Sequence, residues 1–154
     1  DYEVLSDALT VSIGMVIPYL TNDYEQVLVE DLRHLQHLAY HANGSVRGML
    51  AITEEDVDWL SVRYDFYCEQ VGDKIKQFVI PQGCLAALHL HEVRNDAKIV
   101  YRALHHAHKE EAVSELLFKF TGLLSNVACA MALYVNQLND VDEIPFHTKS
   151  YVLK

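Results

Sequence analysis

Apolar residues recur at helical spacing along nearly the whole chain, and only six glycines and three prolines interrupt the pattern. Apolar side chains that recur every three or four positions form one face of an α-helix, and that face packs against neighbouring elements. The pattern predicts five amphipathic helices, at about residues 4–17, 22–41, 53–70, 85–106 and 110–138. Five such helices with short connections favour an all-α protein, a five-helix bundle of the up-down type with ferritin-like architecture.

Local signals mark where two of these helices begin. Asn22, followed three residues later by Glu25, has the form of a capping box, and Thr53 precedes an acidic first turn that suits the helix dipole. The spacing also predicts which side chains of the last two helices point inward. These are Leu85, Leu88, Val93, Ala97, Val100 and Leu104 in the fourth helix, and Leu116, Phe120, Leu123, Val127, Met131 and Tyr134 in the fifth.

Two segments are expected to lie outside the helices. The stretch "FVIPQGC", residues 78–84, is interrupted by Pro81 and Gly83 and is predicted to be a connecting loop. The tail after Pro145 is expected to be irregular. Because 154 residues are about the length of one domain, we expect a single domain over residues 1–154.

The composition narrows the classes of partner. The formal net charge of −10 should repel phosphate backbones, so nucleic acid is not an expected partner. The longest unbroken apolar run, residues 127–135, is shorter than the roughly 20 residues of a membrane span, so no membrane is expected either. Three widely spaced cysteines encode neither a disulfide framework nor a zinc knuckle, which favours a reducing cytoplasm.

Three of the nine histidines fall on one face of the second predicted helix. His34, His37 and His41 have the spacing i, i+3 and i+7, and three imidazoles so arranged can ligate zinc, copper or iron. The alternative is that they are polar surface residues beside the apolar face. The second interpretation is favoured, and no metal site is assigned.

A stripe of three cations runs along the fourth predicted helix. Arg94, Lys98 and Arg102 follow one another at intervals of four residues, beside the apolar face of the same helix. Cations this close to a core need anionic partners. Two hypotheses follow: salt bridges to carboxylates of neighbouring helices or subunits, or a site that binds phosphate.

A loop that carries Phe78, Ile80, Pro81 and Gly83 leads into a helix that carries Leu90, His91 and Arg94. Together with two further segments, this arrangement resembles the PduO-type ATP:cob(I)alamin adenosyltransferases, a family of trimeric five-helix bundles. In that family a Phe-x-Leu/Ile-Pro-x-Gly loop leads into a helix with Leu-His-x-x-Arg and further arginines four and eight residues on. The same spacing holds here for Phe78, Ile80, Pro81, Gly83, Leu90, His91, Arg94, Lys98 and Arg102. The stretches "DALTVSIG" (7–14) and "KFTGLLSN" (119–126) are similar to motifs in the first and last helices of the family.

The resemblance implies a homotrimer that binds a corrinoid and ATP between subunits and moves the adenosyl group of ATP to cobalt. Cobalamin, as a substrate, ATP and Mg²⁺ are the ligands it implies. It gives catalytic roles to Asp7, Arg94 and Lys98, and ligand-binding roles to Phe78, Pro81, Gly83, Arg102 and Asn126. Phe78 corresponds to the apolar residue near the lower face of cobalt, and Asp7 with Arg94 corresponds to an interhelix or intersubunit salt bridge.

The nucleotide side departs from the family pattern. Ala8 and Tyr101 replace glutamates, Gly122 and Leu123 replace an asparagine and an arginine, Asn126 replaces an aspartate, and Lys98 replaces an arginine. Lysine keeps the charge but loses the planar fork that grips phosphate at two points. The family's Thr-x-x-Gly-Asp-x-Gly phosphate loop would lie before Asp1. The alternatives to adenosyl transfer are therefore a non-catalytic corrinoid-binding protein, a structural trimer, or a metal site on the second helix.

Overall fold

A computed structural model describes residues 1–150 of the chain, and they form a helical bundle with one very small sheet. The five helices are α1 (Tyr2–Val16), α2 (Gln26–Gly44), α3 (Glu54–Val71), α4 (Leu85–Glu110) and α5 (Glu115–Leu138). Two short strands, β1 (Val79–Ile80) and β2 (Ile144–Pro145), pair in antiparallel fashion. The prediction of a mainly helical protein with five helices is confirmed.

Hydrogen bonds between helices show which helices are neighbours and how α1 and α2 are oriented. The Tyr2 hydroxyl at the start of α1 donates to the carbonyl of Ala42 at the end of α2, so these two helices are antiparallel. The Ser12 hydroxyl donates to Asp96 halfway along α4, and the Ser125 hydroxyl of α5 donates to the Arg94 carbonyl at 3.4 Å. The helices pack in the order α2, α1, α4, α5, α3, around one core of buried apolar side chains.

A buried polar cluster closes the bundle between α2 and α3. Asp31 accepts hydrogen bonds from Arg63 Nε, at 2.7 Å, and from the Tyr67 hydroxyl. The Arg63 guanidinium also lies 4.5 Å above the ring of Phe66. Burial is the largest cause of a raised Tyr67 pKa, and Asp31 raises it further, so the phenol stays protonated and keeps donating to the carboxylate.

The helix starts follow the predicted capping signals. Thr53 and Asp56 form a reciprocal capping box at α3, while the box of Asn22 and Glu25 opens a short 3₁₀ turn, Asp23–Glu25, that leads into α2. Ser114 caps α5 by accepting from the Leu116 amide, so α5 begins later than the periodicity predicted.

One prediction about inward side chains was wrong, and one about a loop missed a short strand. Leu85 and Leu88 are 55% and 38% exposed, because Ala86 and Ala87 take the inward positions in the first turn of α4. The predicted loop at 78–84 contains β1, since the chain after α5 returns and supplies the partner strand β2.

Helix α5 is the most apolar element of the fold. By length and composition alone it could cross a membrane, but 61% of its most apolar window is buried inside the protein. It packs against both α3 and α4. Its apolar character is that of a core helix, which forms the floor on which the candidate site lies.

Candidate functional site

A groove of about 350 Å³ runs between α4 and α5. Its walls carry two cations, a tyrosine, two aliphatic hydroxyl groups and an amide, which together suit a ligand with both anionic and flat parts. The lining residues are Lys98, Tyr101, Arg102, Thr121, Gly122, Ser125 and Asn126. Sequence-predicted residues Lys98, Arg102 and Asn126 are therefore brought together here.

The cation stripe has no carboxylate partner within the part of the chain that the structure describes. The ion pairs formed by residues 1–150 involve other cations, such as Arg63 with Asp31 and Arg47 with Glu3. Lys98 and Arg102 are exposed. The hypothesis of salt bridges to neighbouring helices of the same subunit is wrong for this stripe, and two cations remain available to an anion from outside the chain.

Arg94 lies deeper than the other two cations and faces α5. Burial raises the pKa of the Cys129 thiol, and the nearby charges of Arg94 and Lys98 oppose that rise. Among residues 1–150, the Arg94 Nε atom is buried without a hydrogen-bond partner. A buried donor that lacks a partner carries a desolvation cost, so this position favours an acceptor supplied from elsewhere.

His91 lies one turn before Arg94 and is also buried without a partner. Neither ring nitrogen makes a hydrogen bond within the described chain, and the residue is 7% exposed. Burial, and to a lesser degree the charge of Arg94, lowers the His91 pKa to about 4. The imidazole is therefore neutral near pH 7, with one donor and one acceptor nitrogen.

Asp7 lies away from this groove, on the outer face of α1. It is exposed, and its spacing puts it on the same face as Val4 and Val11, which are 68% and 56% exposed. Asp7 forms no ion pair with Arg94 among residues 1–150. The interhelix form of the expected salt bridge is wrong, and the intersubunit form stays a prediction.

Two positions that depart from the family pattern, Tyr101 and Gly122, pack against each other. The Tyr101 ring lies so close to α5 that a Cβ atom on Gly122 would come within 3.7 Å of it. The same ring meets Phe118 edge-on, with centroids 5.7 Å apart, and Leu123 packs against the core. The Tyr101 ring, packed against Phe118, thus forms this part of the groove wall.

The segment that carries Phe78, Pro81 and Gly83 lies at the N-terminal end of α4. The Phe78 side chain is 54% exposed, and its carbonyl accepts from the Phe146 amide at 2.8 Å. Gly83 has φ of +137°, a conformation that side-chain-bearing residues rarely adopt. Phe78, Pro81 and Gly83 therefore lie on one segment, as predicted. The backbone conformation at residue 83 is itself a sufficient reason for glycine there.

Sequence reasoning missed Asn136, which holds this segment from α5. It is fully buried, and its side-chain amide bonds to Gln82, Cys84 and Glu143. The signal was present in the sequence as an asparagine directly after an apolar run in a helix predicted to be the core. A polar residue in such a place needs partners, which identifies it as a structural junction.

The three histidines on α2 do not converge on a common point. His34 packs edge-on against Trp59, with centroids 4.3 Å apart, and His37 Nδ1 bonds to the Arg33 carbonyl at 2.9 Å. His41 and His37 both line a groove between α1 and α2, which does not include His34. Within residues 1–150, no three His, Cys, Asp or Glu side chains are arranged to hold a metal ion.

Comparison with known proteins agrees with this geometry. Residues 5–135 match the sequence profile of the cobalamin adenosyltransferase family. A corrinoid adenosyltransferase from Bacillus subtilis (strain 168) is 25% identical over 155 aligned positions, and the aligned region covers 96% of this chain and 79% of that protein.

Two solved structures of a PduO-type ATP:corrinoid adenosyltransferase from Lactobacillus reuteri share the fold. A variant complexed with cobalamin and ATP superposes with a TM-score of 0.83, at 24% identity, over 96% of this chain and 87% of that one. A second variant, complexed with ATP, gives a TM-score of 0.84 at 24% identity, over 95% and 85% of the two chains.

Proposed function

Because the chain belongs to the cobalamin adenosyltransferase family, we propose that it transfers the 5′-deoxyadenosyl group of ATP to the cobalt of a reduced corrinoid. In this reaction a cobalt(I) centre attacks the 5′ carbon of ATP. The electron pair of cobalt forms the cobalt–carbon bond, while the carbon–oxygen bond breaks and its electrons leave with triphosphate. Family membership favours this function over a non-catalytic corrinoid-binding protein.

The observation that carries the proposal is the pair of unneutralised cations in the groove between α4 and α5. Lys98 and Arg102 lack a carboxylate partner among residues 1–150, although the chain as a whole is strongly acidic. Triphosphate gains negative charge at the oxygen that leaves, and cations fixed beside it stabilise that charge in the transition state. The rest of the rate enhancement comes from holding the two substrates in line.

Mg²⁺ is proposed to enter with the nucleotide. The residues that line the groove offer hydroxyl and amide oxygens from Thr121, Ser125 and Asn126, but they include no carboxylate. Mg²⁺ is often held by substrate phosphates and waters with few protein ligands, which fits this lining. Its role would be to neutralise phosphate charge together with Lys98 and Arg102.

The corrinoid side is assigned to the segment that carries Phe78. A half-exposed aromatic ring on a fixed backbone presents an apolar surface that can exclude water from one face of a flat ligand. Beside cobalt, such a ring would favour a four-coordinate centre that is easier to reduce. Pro81 and Gly83 shape the backbone that carries it.

We also propose that the protein assembles as a homotrimer. Exposed apolar side chains at Val4, Val11 and Met15 follow one face of α1, and Asp7 lies on that same face. The buried Nε atom of Arg94 lacks an acceptor among residues 1–150, and Asp7 of the partner subunit would supply one of the right charge. The site would therefore lie between subunits, in a protein that we place in the cytoplasm.

The test is turnover by the full-length protein. Incubation with reduced cobalamin, ATP and Mg²⁺ is expected to give adenosylcobalamin, followed by its absorbance, and the Arg102→Ala variant should be strongly impaired. Binding of the corrinoid without turnover would favour the non-catalytic alternative. If neither cobalamin nor ATP bound, the assignment of this groove would be wrong altogether.

A further inference from the structure

The side-chain amide of Asn136 joins α5 to the segment before α4. Its Oδ1 atom accepts from the Cys84 backbone amide at 3.0 Å, and its Nδ2 atom donates to the Gln82 carbonyl at 3.1 Å. Nδ2 also donates to Glu143 Oε2 at 2.9 Å. Asn136 itself is fully buried, so its end of these bonds is shielded from solvent. We call this group of contacts the Asn136 anchor.

Gly83 lies against the Asn136 anchor so closely that a side chain cannot fit there. A Cβ atom on Gly83 would overlap both terminal atoms of the Asn136 amide. The positive φ of +137° at Gly83 lets its neighbours Gln82 and Cys84 both direct backbone groups at that one amide. The close steric fit between Gly83 and Asn136, as well as the hydrogen bonds, therefore fixes the position of the segment along α5.

The chain after α5 holds the same segment from its other end. Strand β2 pairs with β1, and the Phe146 amide donates to the Phe78 carbonyl at 2.8 Å. Glu143, between α5 and β2, is bound to the Asn136 anchor. Phe78 thus lies on a short backbone segment with one attachment at residues 82–84 and another at residue 146.

The side chain of Phe78 contributes little to its own placement. It is 54% exposed, so packing fixes it only partly, and the backbone attachments must supply the rest. An apolar surface that is to sit against one face of a flat ligand has to be held close to its working position, because small displacements weaken such contacts strongly.

We propose that Asn136 is a positioning residue for the corrinoid side of the reaction, acting through residues 82–84 and β2 to hold Phe78. This inference rests on the proposed function. It predicts that the Asn136 anchor controls corrinoid affinity and leaves the nucleotide groove, on another part of α4 and α5, unaffected.

The first test compares two ligands in one variant. Asn136→Ala is expected to weaken cobalamin binding roughly tenfold while the Kd for ATP stays within about twofold, as expected for the loss of hydrogen bonds at one site only. The matched control is Asn139→Ala, which removes bonds to Glu25 and to the Val135 carbonyl at the same end of α5 without touching the segment. It should leave both affinities unchanged.

A second pair of variants tests the attachment of Phe78 at residue 146 and changes no buried residue. Phe146→Pro removes the amide that donates to the Phe78 carbonyl, while Phe146→Ala keeps that amide and removes only the ring. Phe146→Pro should reproduce the selective loss of cobalamin affinity, and Phe146→Ala should not. This pair decides the question if Asn136→Ala fails to fold.

The outcomes separate the inference from the function on which it rests. Wild-type protein that binds no cobalamin would overturn the proposed function and this inference with it. Normal wild-type binding, combined with equal losses for ATP and cobalamin in the folded variants or with no loss at all, would overturn the inference alone.

Discussion

The Tyr101 ring lies against the backbone of α5 at Gly122. A Cβ atom added to this glycine would lie 3.7 Å from the ring. Phe118 and His105 meet the same ring with centroids 5.7 and 4.9 Å away, which fixes its orientation. Tyr101 and Gly122 both replace polar residues of the family pattern. The two positions therefore pack against each other.

Replacing Gly122 by alanine should stabilise the protein. Glycine in the interior of a helix costs about 0.5–1 kcal/mol relative to alanine, and the added Cβ would make only ordinary contact with the Tyr101 ring. The free energy of unfolding should rise by about that amount, as measured by urea denaturation. Gly83→Ala is the opposing control and should be strongly destabilising, because the new Cβ overlaps Asn136. A loss of stability in Gly122→Ala would show that the ring needs the space of the glycine.

Changing the cations of the groove should alter nucleotide affinity in both directions. Lys98→Arg introduces a planar fork that binds two phosphate oxygens, so we expect the Kd for ATP to fall a few-fold. Arg102→Ala should raise it roughly 10- to 100-fold, the range for loss of a hydrogen bond to a charged group. Calorimetric titration at two salt concentrations measures both, with Lys119→Ala, an exposed cation on α5, as control. Equal effects of Lys119→Ala and Arg102→Ala would mean that only the overall charge matters.

A charged residue introduced on the exposed face of α1 should dissociate the proposed trimer into monomers. Val11 is 56% exposed beside Asp7, and burying an unpaired aspartate there between subunits would cost several kcal/mol. Val11→Asp is expected to be a folded monomer by light scattering, with impaired turnover. Val62→Asp makes the same change at a 62% exposed valine of α3 and should remain a trimer. A monomeric wild type would contradict the proposed assembly directly.

Helix periodicity and capping residues predicted most of the fold because they act locally. Thr53 caps α3 through its own neighbours, and the spacing of apolar residues in α5 already describes a core helix. Pairing between β1 and β2 joins residues far apart in sequence, and no local pattern marks either two-residue strand. Leu85 was misjudged for a similar reason, since only the packed structure shows that Ala86 and Ala87 occupy the inward side.

The candidate site was predictable in part through its spacing. The interval of four residues places Lys98 and Arg102 on one face, and the structure puts both in one groove with Asn126. The contacts between Tyr101 and Gly122 and between Gly83 and Asn136 link different helices, so they are visible only after folding. Asp7 shows the remaining limit, because the packing of one chain does not test a salt bridge that is expected between subunits.

The neutral, buried His91 should make stability fall in acid. Its pKa is lowered to about 4 in the folded protein, chiefly by burial, while the unfolded chain should keep a value near 6.5. Between these values the unfolded state binds more protons, so the free energy of unfolding should rise with pH across this window, by at most about 1.4 kcal/mol per pH unit from this group. The stability associated with the neutral His91 imidazole is fully present above about pH 6.5 and is lost as pH falls towards 4. Denaturation of the wild type and of His91→Asn across this range, with an NMR titration of the His91 ring, measures the effect. An identical pH dependence in the two proteins would assign the acid sensitivity to other groups.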